Sequence, residues 1–221
     1  MQTKTKDWQG LLDSNTATRQ HLLKTLDRSH IRDYRNITKA KGGGKFYLGN
    51  PLLYKSSLAL YWPNLKGRTL LRNGADTTTL LKGQISMVCL FQRQWAHAQT
   101  QSYVGVKEHP ELARVIEEHK DIVQKVEISM EDIQGFSIFG RLFDWNLRRS
   151  KTDQEQDRYF TTQGVPVGMK ESLGIMNNSV GYIFLVDQNC KIRWSACADA
   201  LPEEKEYLLK GLKSLISQAK R

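Results

Sequence analysis

Cysteine is scarce in this chain. Three thiols, Cys89, Cys190 and Cys197, stand in 221 residues, too few to staple a disulfide scaffold, so the fold must rest on a hydrophobic core. Cys89 lies inside an apolar run and reads as a small buried hydrophobe. Cys190 and Cys197 flank KIRWSA; if that stretch is extended, their α-carbons stand about 23 Å apart, beyond the roughly 4.4–6.8 Å that a disulfide spans. Long apolar runs are missing too. The stretch 180–186 has strand length, well short of the roughly 20 residues of a membrane-spanning helix. The first thirteen residues, MQTKTKDWQGLLD, contain acids and no apolar core, so no secretory or transit peptide is expected within this chain. Metal-ligand spacing is absent around the five histidines, His21, His30, His97, His109 and His119, and neither a metal nor another cofactor is expected. There is no Walker loop, nucleophile elbow or zinc motif. The glycines at 42–44 lack the following Lys-Ser/Thr of a phosphate cradle and read as a linker.

Positive charge is present in excess, and unevenly. Residues 1–65 hold 11 basic and 4 acidic side chains, whereas residues 66–221 hold 22 and 19. A basic arm on a nearly neutral body would suit nucleic acid, anionic lipid or an acidic partner, and charge alone does not choose among them. The arm reads as helix over the first forty residues, capped at Asn15 or Thr16, with Leu22, Leu23, Leu26, Ile31, Tyr34 and Ile37 on one face. Residues 45–65, KFYLGNPLLYKSSLALYWPNL, carry two prolines and many aromatics. They read as an extended segment packed on the body, too apolar to be disordered. The domain expectation is therefore a basic helical and extended arm, 1–65, packing on a body, 66–221.

The body alternates strand and helix signals. GQISMVCLF (83–91) is a continuous apolar strand. HPELARVIEEH (109–119) is a helix with Pro110 in its first turn. DIVQKVEI (121–128) is a second strand. EDIQGFSIFGRLFDWNLRR (131–149) has helical length with apolar residues nearly all round. VGYIFLVD (180–187) and KIRWSA (191–196) form a hairpin across a short connection. PEEKEYLLKGLKSLISQAK closes the chain as an amphipathic helix. Parallel strands joined by a crossover, then a hairpin, then a helix, predict an α/β fold: a thioredoxin-like mixed sheet with helices on both faces, plus the basic N-terminal extension.

That arrangement makes one stretch informative. In VCLFQRQWAHAQTQ (88–101) a strand and a Trp are followed by Ala96 and Gln99, where a thioredoxin-type enzyme has its two cysteines. Such an enzyme needs a low-pKa thiolate at the helix start and a second thiol a turn later. The position of its cis-proline falls on Gly181, where a trans bond is expected. The three parts of the redox site are thus absent. Asp199 would raise the pKa of nearby Cys197. His97 reads either as a contact residue on the old substrate-facing surface or as a solvated histidine at a helix start. Trp95 reads either as retained packing or as an amphipathic anchor for a partner.

Three blocks resemble one family. GYIFLVDQNCKIRWSACADALPEE (181–204) is similar to the C-terminal signature of the mitochondrial ATPase complex subunit 10 family. HIRDYRNI…GKFYLGNPLLYKSSLALYWPNLKGRTL (30–70) and FGRLFDWNLRRS…DRYF (139–160) resemble its N-terminal block and middle helix. The resemblance implies a thioredoxin-like, non-enzymatic chaperone for assembly of the ATP synthase membrane sector. It implies a place on the matrix side of the mitochondrial inner membrane, peripheral to its anionic lipid. The partners it implies are the newly made subunit a (subunit 6) and, through it, the c-ring. The expected partner-binding residues are Trp95, His97 and Gln99 beside the lost redox site, with Phe139, Phe143, Trp145, Arg148 and Arg149 on the middle helix. Two other readings stay open at this point: a thiol-dependent peroxidase or oxidoreductase using Cys197 or Cys190, and an RNA-binding protein using the basic arm, although no nucleic-acid partner is expected.

Overall fold

Why the sheet forms where it does follows from a few residue runs. The protein was analysed as a computed structural model, which describes residues 44–130 and 147–220. The chain divides into two units, Met1–Lys41 and Gly42–Arg221, and all that follows concerns the second. Its strands are β1 (Lys66–Thr69), β2 (Asn73–Asp76), β3 (Ile85–Phe91), β4 (Val123–Met130), β5 (Tyr159–Thr162), β6 (Tyr182–Val186) and β7 (Ile192–Cys197). They make one sheet in the order β2-β1-β5-β4-β3-β6-β7. The helices among the described residues are α1 (Thr77–Leu81), α2 (Gln94–Val104), α3 (Pro110–Glu118), α4 (Asp153–Asp157), α5 (Val167–Ser172) and α6 (Pro202–Ala219).

The unbroken apolar run Ile85–Phe91 is the centre of the sheet. It pairs parallel with β4 on one side and antiparallel with β6 on the other, and every residue in it is buried. A strand covered on both faces has no polar side to show, which is why alternation is missing from its sequence. The β3–β4 crossover carries α2 and α3, and these pack with α6 on one face, around Met87, Cys89, Ile183, Leu185 and Trp194. The β6–β7 hairpin turns at Asp187: its carboxylate accepts the N–H groups of Asn189 and Lys191, both at 3.0 Å, and Cys190 sits at a φ of 61°. A side-chain-anchored turn of this kind makes the tight reversal without glycine.

The strand signals at 83–91, 121–128, 180–187 and 191–196 correspond to β3, β4, β6 and β7, with β4 two residues later than its sequence suggests. Three short strands, β1, β2 and β5, and the length of α2 were not anticipated. Of the helix read at 131–149, residues 131–146 lie outside the described residues; Leu147, Arg148, Arg149 and Ser150 are helical. The basic helix read in the first forty residues also lies outside them.

Residues 44–65 run along β7 as a strap. Tyr54 N–H donates to the Arg193 carbonyl at 2.7 Å, Ile192 N–H to the Leu60 carbonyl at 2.8 Å, and Trp62 N–H to the Cys190 carbonyl at 2.7 Å. The β7 edge is thereby paired within the chain, which shields it from other strands. Where the strap crosses Trp194, glycine is required: a Cβ on Gly49 would enter the indole ring. The indole N–H donates to the Asn50 carbonyl at 2.6 Å.

Candidate functional site

The N-terminus of α2 follows directly from the C-terminal end of β3, at the end of the sheet where thiol chemistry would sit. Ala96 and Gln99 both face inward, and Gln99 is 1% exposed. The expectation that Gln99 lies on a partner-facing surface is therefore corrected. Its side chain is turned into the protein because its two polar ends have partners there. Oε1 accepts the Gly181 N–H at 3.0 Å, and Nε2 donates to Asp199 Oδ2 at 3.4 Å. The Gly181 carbonyl in turn accepts from Ala198 N–H at 2.9 Å. The backbone edge ahead of β6 is thus committed inside the protein. The peptide bond before Gly181 is trans. A Cβ at 181 would press on the Ala96 carbonyl, so this contact admits only glycine.

The thiols lie elsewhere and are held protonated. Cys89 is fully buried, and burial, aided by the nearby Glu127 charge, pushes its thiol up to about 12. Burial also pushes Cys197 up, against the hydrogen bonds it makes to the strap; Phe46 N–H donates to its Sγ at 3.3 Å, and Sγ lies 3.5 Å from the Tyr47 carbonyl. Burial is the main cause of the rise, and the Glu204 carboxylate adds to it. Cys190, half-buried in the hairpin turn, is raised by burial and by Asp187. All three cysteines are free. A thiol–disulfide exchange needs a thiolate in an electropositive, accessible place, and none of these sites is one.

Beside the α2 start is a charged cluster that sequence reasoning did not find. Glu127 is buried on β4, with Lys151 Nζ at 2.6 Å, His97 Nε2 at 3.2 Å and Lys125 Nζ at 3.4 Å. Burial alone would push its carboxyl up, but the His97 hydrogen bond and the two lysines outweigh it and hold the group well below the usual carboxylate range. Gln101 Nε2 lies 3.2 Å from the same carboxylate and 3.1 Å from His97 Nε2. His97 Nε2 cannot both donate to Glu127 and accept from Gln101, so the tautomer decides which bond forms. The His97 ring also packs against Phe91, with centroids 4.6 Å apart and the planes tilted by 57°. It is therefore held by its neighbours and not freely solvated, while part of its side chain stays exposed. The available signal was a carboxylate at Glu127 between Val126 and Ile128, in a mostly buried strand, since a buried charge implies partners.

A second buried carboxylate fastens the strap. Glu204, at the start of α6, accepts from Lys45 Nζ at 2.6 Å, Tyr103 OH at 2.8 Å, Gly49 N–H at 2.7 Å and Leu201 N–H at 3.0 Å. Burial opposes its charge, but these donors lower its pKa. Lys45 also donates to the Cys197 carbonyl at 3.0 Å.

The other expected contact residues are spread out. Trp95 is 41% exposed next to Ala96. Arg148 and Arg149 are exposed on the helical turn before α4. Phe139, Phe143 and Trp145 lie outside the described residues. Among the described residues, no group of three or more His, Cys, Asp or Glu side chains is placed to hold a metal ion.

Comparison with known proteins gives a consistent picture. A family model described as ATP10 protein matches residues 1–215. The chain is similar to the mitochondrial ATPase complex subunit ATP10 of Candida glabrata, 29% identical over 96% of this chain and 78% of that protein. It is also similar to the protein of the same name from Saccharomyces cerevisiae, 30% identical over 86% of this chain and 71% of that one. Among solved structures, a secreted thiol-disulfide isomerase from Corynebacterium glutamicum aligns with a TM-score of 0.51 at 14% identity, covering 78% of this chain and 93% of that one. With the strand order above, this establishes a thioredoxin-like fold and says nothing of activity.

Proposed function

This chain belongs to the ATP10 protein family, and from that premise we propose that it is an assembly factor for the mitochondrial ATP synthase that works by binding and not by chemistry. Its client in this reading is the newly made, hydrophobic subunit a (subunit 6), which it holds until that subunit joins the c-ring. It does so at the matrix face of the inner membrane, as a peripheral protein. The names of the relatives, each a mitochondrial ATPase complex subunit, support the compartment and the complex.

One observation carries the non-enzymatic part. Gln99 occupies the second thiol position as a buried structural side chain that ties α2 to the Gly181 amide. The cysteines that remain are buried or half-buried, with raised pKa values. No helix among the described residues is long and apolar enough to cross a membrane. The excess of basic residues in 1–65 supplies a route to an anionic bilayer, at about 1 kcal/mol for each Lys or Arg close to the surface. Trp95, His97, Arg148 and Arg149, with Phe139, Phe143 and Trp145, remain the proposed contact residues. The test is cross-linking of the full chain to radiolabelled mitochondrial translation products. A cross-link to subunit a, lost in a folded Phe143→Asp or Trp145→Asp variant, supports the reading. Absence of any cross-link to subunit a from the unaltered chain contradicts it.

A further inference from the structure

Two turns of the chain meet at the end of the sheet opposite Ala96 and Gln99. The β6–β7 hairpin is one of them, beside the N-terminal end of β3, where Ser86 pairs with Val186. The strap supplies the other. It pairs with β7 at Tyr54, leaves the sheet, and returns to β7 at Leu60. In between it turns over residues 55–58, with Leu58 N–H and Ala59 N–H both donating to the Lys55 carbonyl at 2.9 Å. Lys191 fastens the two turns together. Its Nζ donates to the Ser56 carbonyl at 2.8 Å and stands 5.2 Å from the centre of the Tyr61 ring.

What these turns show to solvent is apolar and cationic. Leu58 is 77%, Tyr61 66% and Leu60 57% exposed. Apolar side chains scattered singly mean little, but three within one short turn form a contact surface. Lysines stand around them. Lys55, at the start of the turn, is exposed. So is Lys82, next to Gly83, whose N–H donates to the Gln188 carbonyl of the hairpin at 2.9 Å. Acids do not balance these charges. Residues 44–65 contain none. Asp187, the acid of the hairpin, is buried with its carboxylate 3.2 Å from the Arg193 guanidinium. Asp121, an exposed acid at the same end of the sheet, stands three strands away from β7. An uncompensated cluster of lysines around apolar side chains calls for a partner that is apolar and anionic together. A bilayer interface has that chemistry: apolar side chains reach the acyl boundary, an aromatic ring sits among the headgroups, and lysines meet the phosphates.

We infer that the strap turn at 55–61, with Lys82 and Lys191 beside it, is a docking surface for an anionic lipid bilayer. Leu58, Leu60 and Tyr61 enter the interface, and the lysines face lipid phosphates. Trp95, at the opposite end of the sheet, is then left clear of the lipid for a protein contact. This deepens the peripheral placement proposed above and rests on it for the membrane's identity.

Co-sedimentation of the full chain with phosphatidylcholine–cardiolipin vesicles tests it, with vesicles of phosphatidylcholine alone as the uncharged control. Leu58→Asp is expected to weaken binding to the mixed vesicles about tenfold, from lost apolar contact and a charge turned toward the phosphates. Lys55→Gln weakens it about fivefold, the contribution of one surface cation. Leu71→Asp, at an exposed leucine between β1 and β2 on the other edge of the sheet, leaves it unchanged. All three positions are exposed, so the melting temperature stays that of the unaltered chain. The inference is overturned if the unaltered chain does not bind the mixed vesicles, if it binds phosphatidylcholine alone equally well, or if Leu71→Asp loses as much as Leu58→Asp. It is also overturned if Leu58→Asp binds the mixed vesicles as the unaltered chain does. Loss of cross-linking to subunit a in that variant would then make the turn a polypeptide site, and no loss would leave the membrane to residues 1–41. The vesicle result does not depend on the client. If removing the whole chain from cells leaves ATP synthase assembly intact, the assembly role falls and the lipid surface stands. If Leu58→Asp keeps both vesicle binding and the cross-link to subunit a, the lipid surface falls and the assembly role stands.

Discussion

Gln99 has two polar ends, and both are used: Oε1 takes the Gly181 N–H and Nε2 reaches Asp199. A thiol at the same place would leave that buried amide without an acceptor of comparable strength. Gln99→Ala is therefore expected to destabilise the fold by about 2 kcal/mol, from the unpaired amide and the space left behind. Gln99→Cys should lose nearly as much, so restoring sulfur at 96 and 99 weakens the protein instead of reviving it. Urea denaturation measures both; a neutral result for either would mean that the Gly181 amide finds another partner. Gly181→Ala is the complementary change. It drives a methyl group against the Ala96 carbonyl, and overpacking of this kind lowers stability by about 1–3 kcal/mol.

The strap is held at one end by an ion pair, and its pH dependence follows from that. Glu204 and Glu127 both titrate below their ordinary value of 4.5 when folded. The unfolded chain then binds more protons than the folded one in acid, so their contribution is complete above the ordinary value and is lost as pH falls through the folded values. The urea midpoint should begin to fall below about pH 7, where His109, its pKa lowered by burial, resists the proton that the unfolded chain takes up, and should fall further below about pH 5.5 as the two carboxylates protonate; Glu204→Gln should make that second part of the decline shallower. A midpoint that rose on acidification would contradict the assignment. Lys45→Met leaves Glu204 buried without its cation, and a loss on the order of 3 kcal/mol is expected, because breaking a buried pair strands a charge. Limited proteolysis should then cut within 44–65 before the body. The elements involved were unequally legible. β3, β6, β7, α3 and α6 announce themselves as apolar runs or stripes of the right period. β1, β2 and β5, reading KGRT, NGAD and YFTT, have no such pattern; they are strands because their neighbours offer backbone partners. The sequence of α2, QWAHAQTQSYV, lacks an apolar stripe, since it buries Gln99 and Thr100 along with Ala96 and Tyr103. For the same reason Gln99 could be seen as a missing cysteine but not as a structural tie. The Glu127 cluster joins residues from β4, α2 and the segment before α4, and no local pattern foretells such a meeting.

At the scale of the whole molecule, a thioredoxin-like sheet keeps its architecture while the place of its chemistry is filled with packing. Ala96, Gln99 and Gly181 fill the corner where a thioredoxin-type enzyme has its two cysteines and its cis-proline, while Cys89 is a buried hydrophobe, Cys197 a hydrogen-bonding group under the strap and Cys190 a half-buried turn residue. Charge and apolar side chains are unevenly distributed along the chain instead. Basic residues gather in 1–65, and exposed leucines gather on the strap. Both suit a protein that holds an apolar client near an anionic membrane. The most direct measurement replaces the native protein in cells by a chain carrying Cys89→Ala, Cys190→Ala and Cys197→Ser, and follows assembled ATP synthase on blue-native gels. The account predicts assembly at the level of the unaltered chain, with the hydroxyl introduced by Cys197→Ser keeping the hydrogen bond to the strap. Loss of assembly by a variant that is folded and present at normal abundance would contradict it, and would place a working thiol in this protein after all.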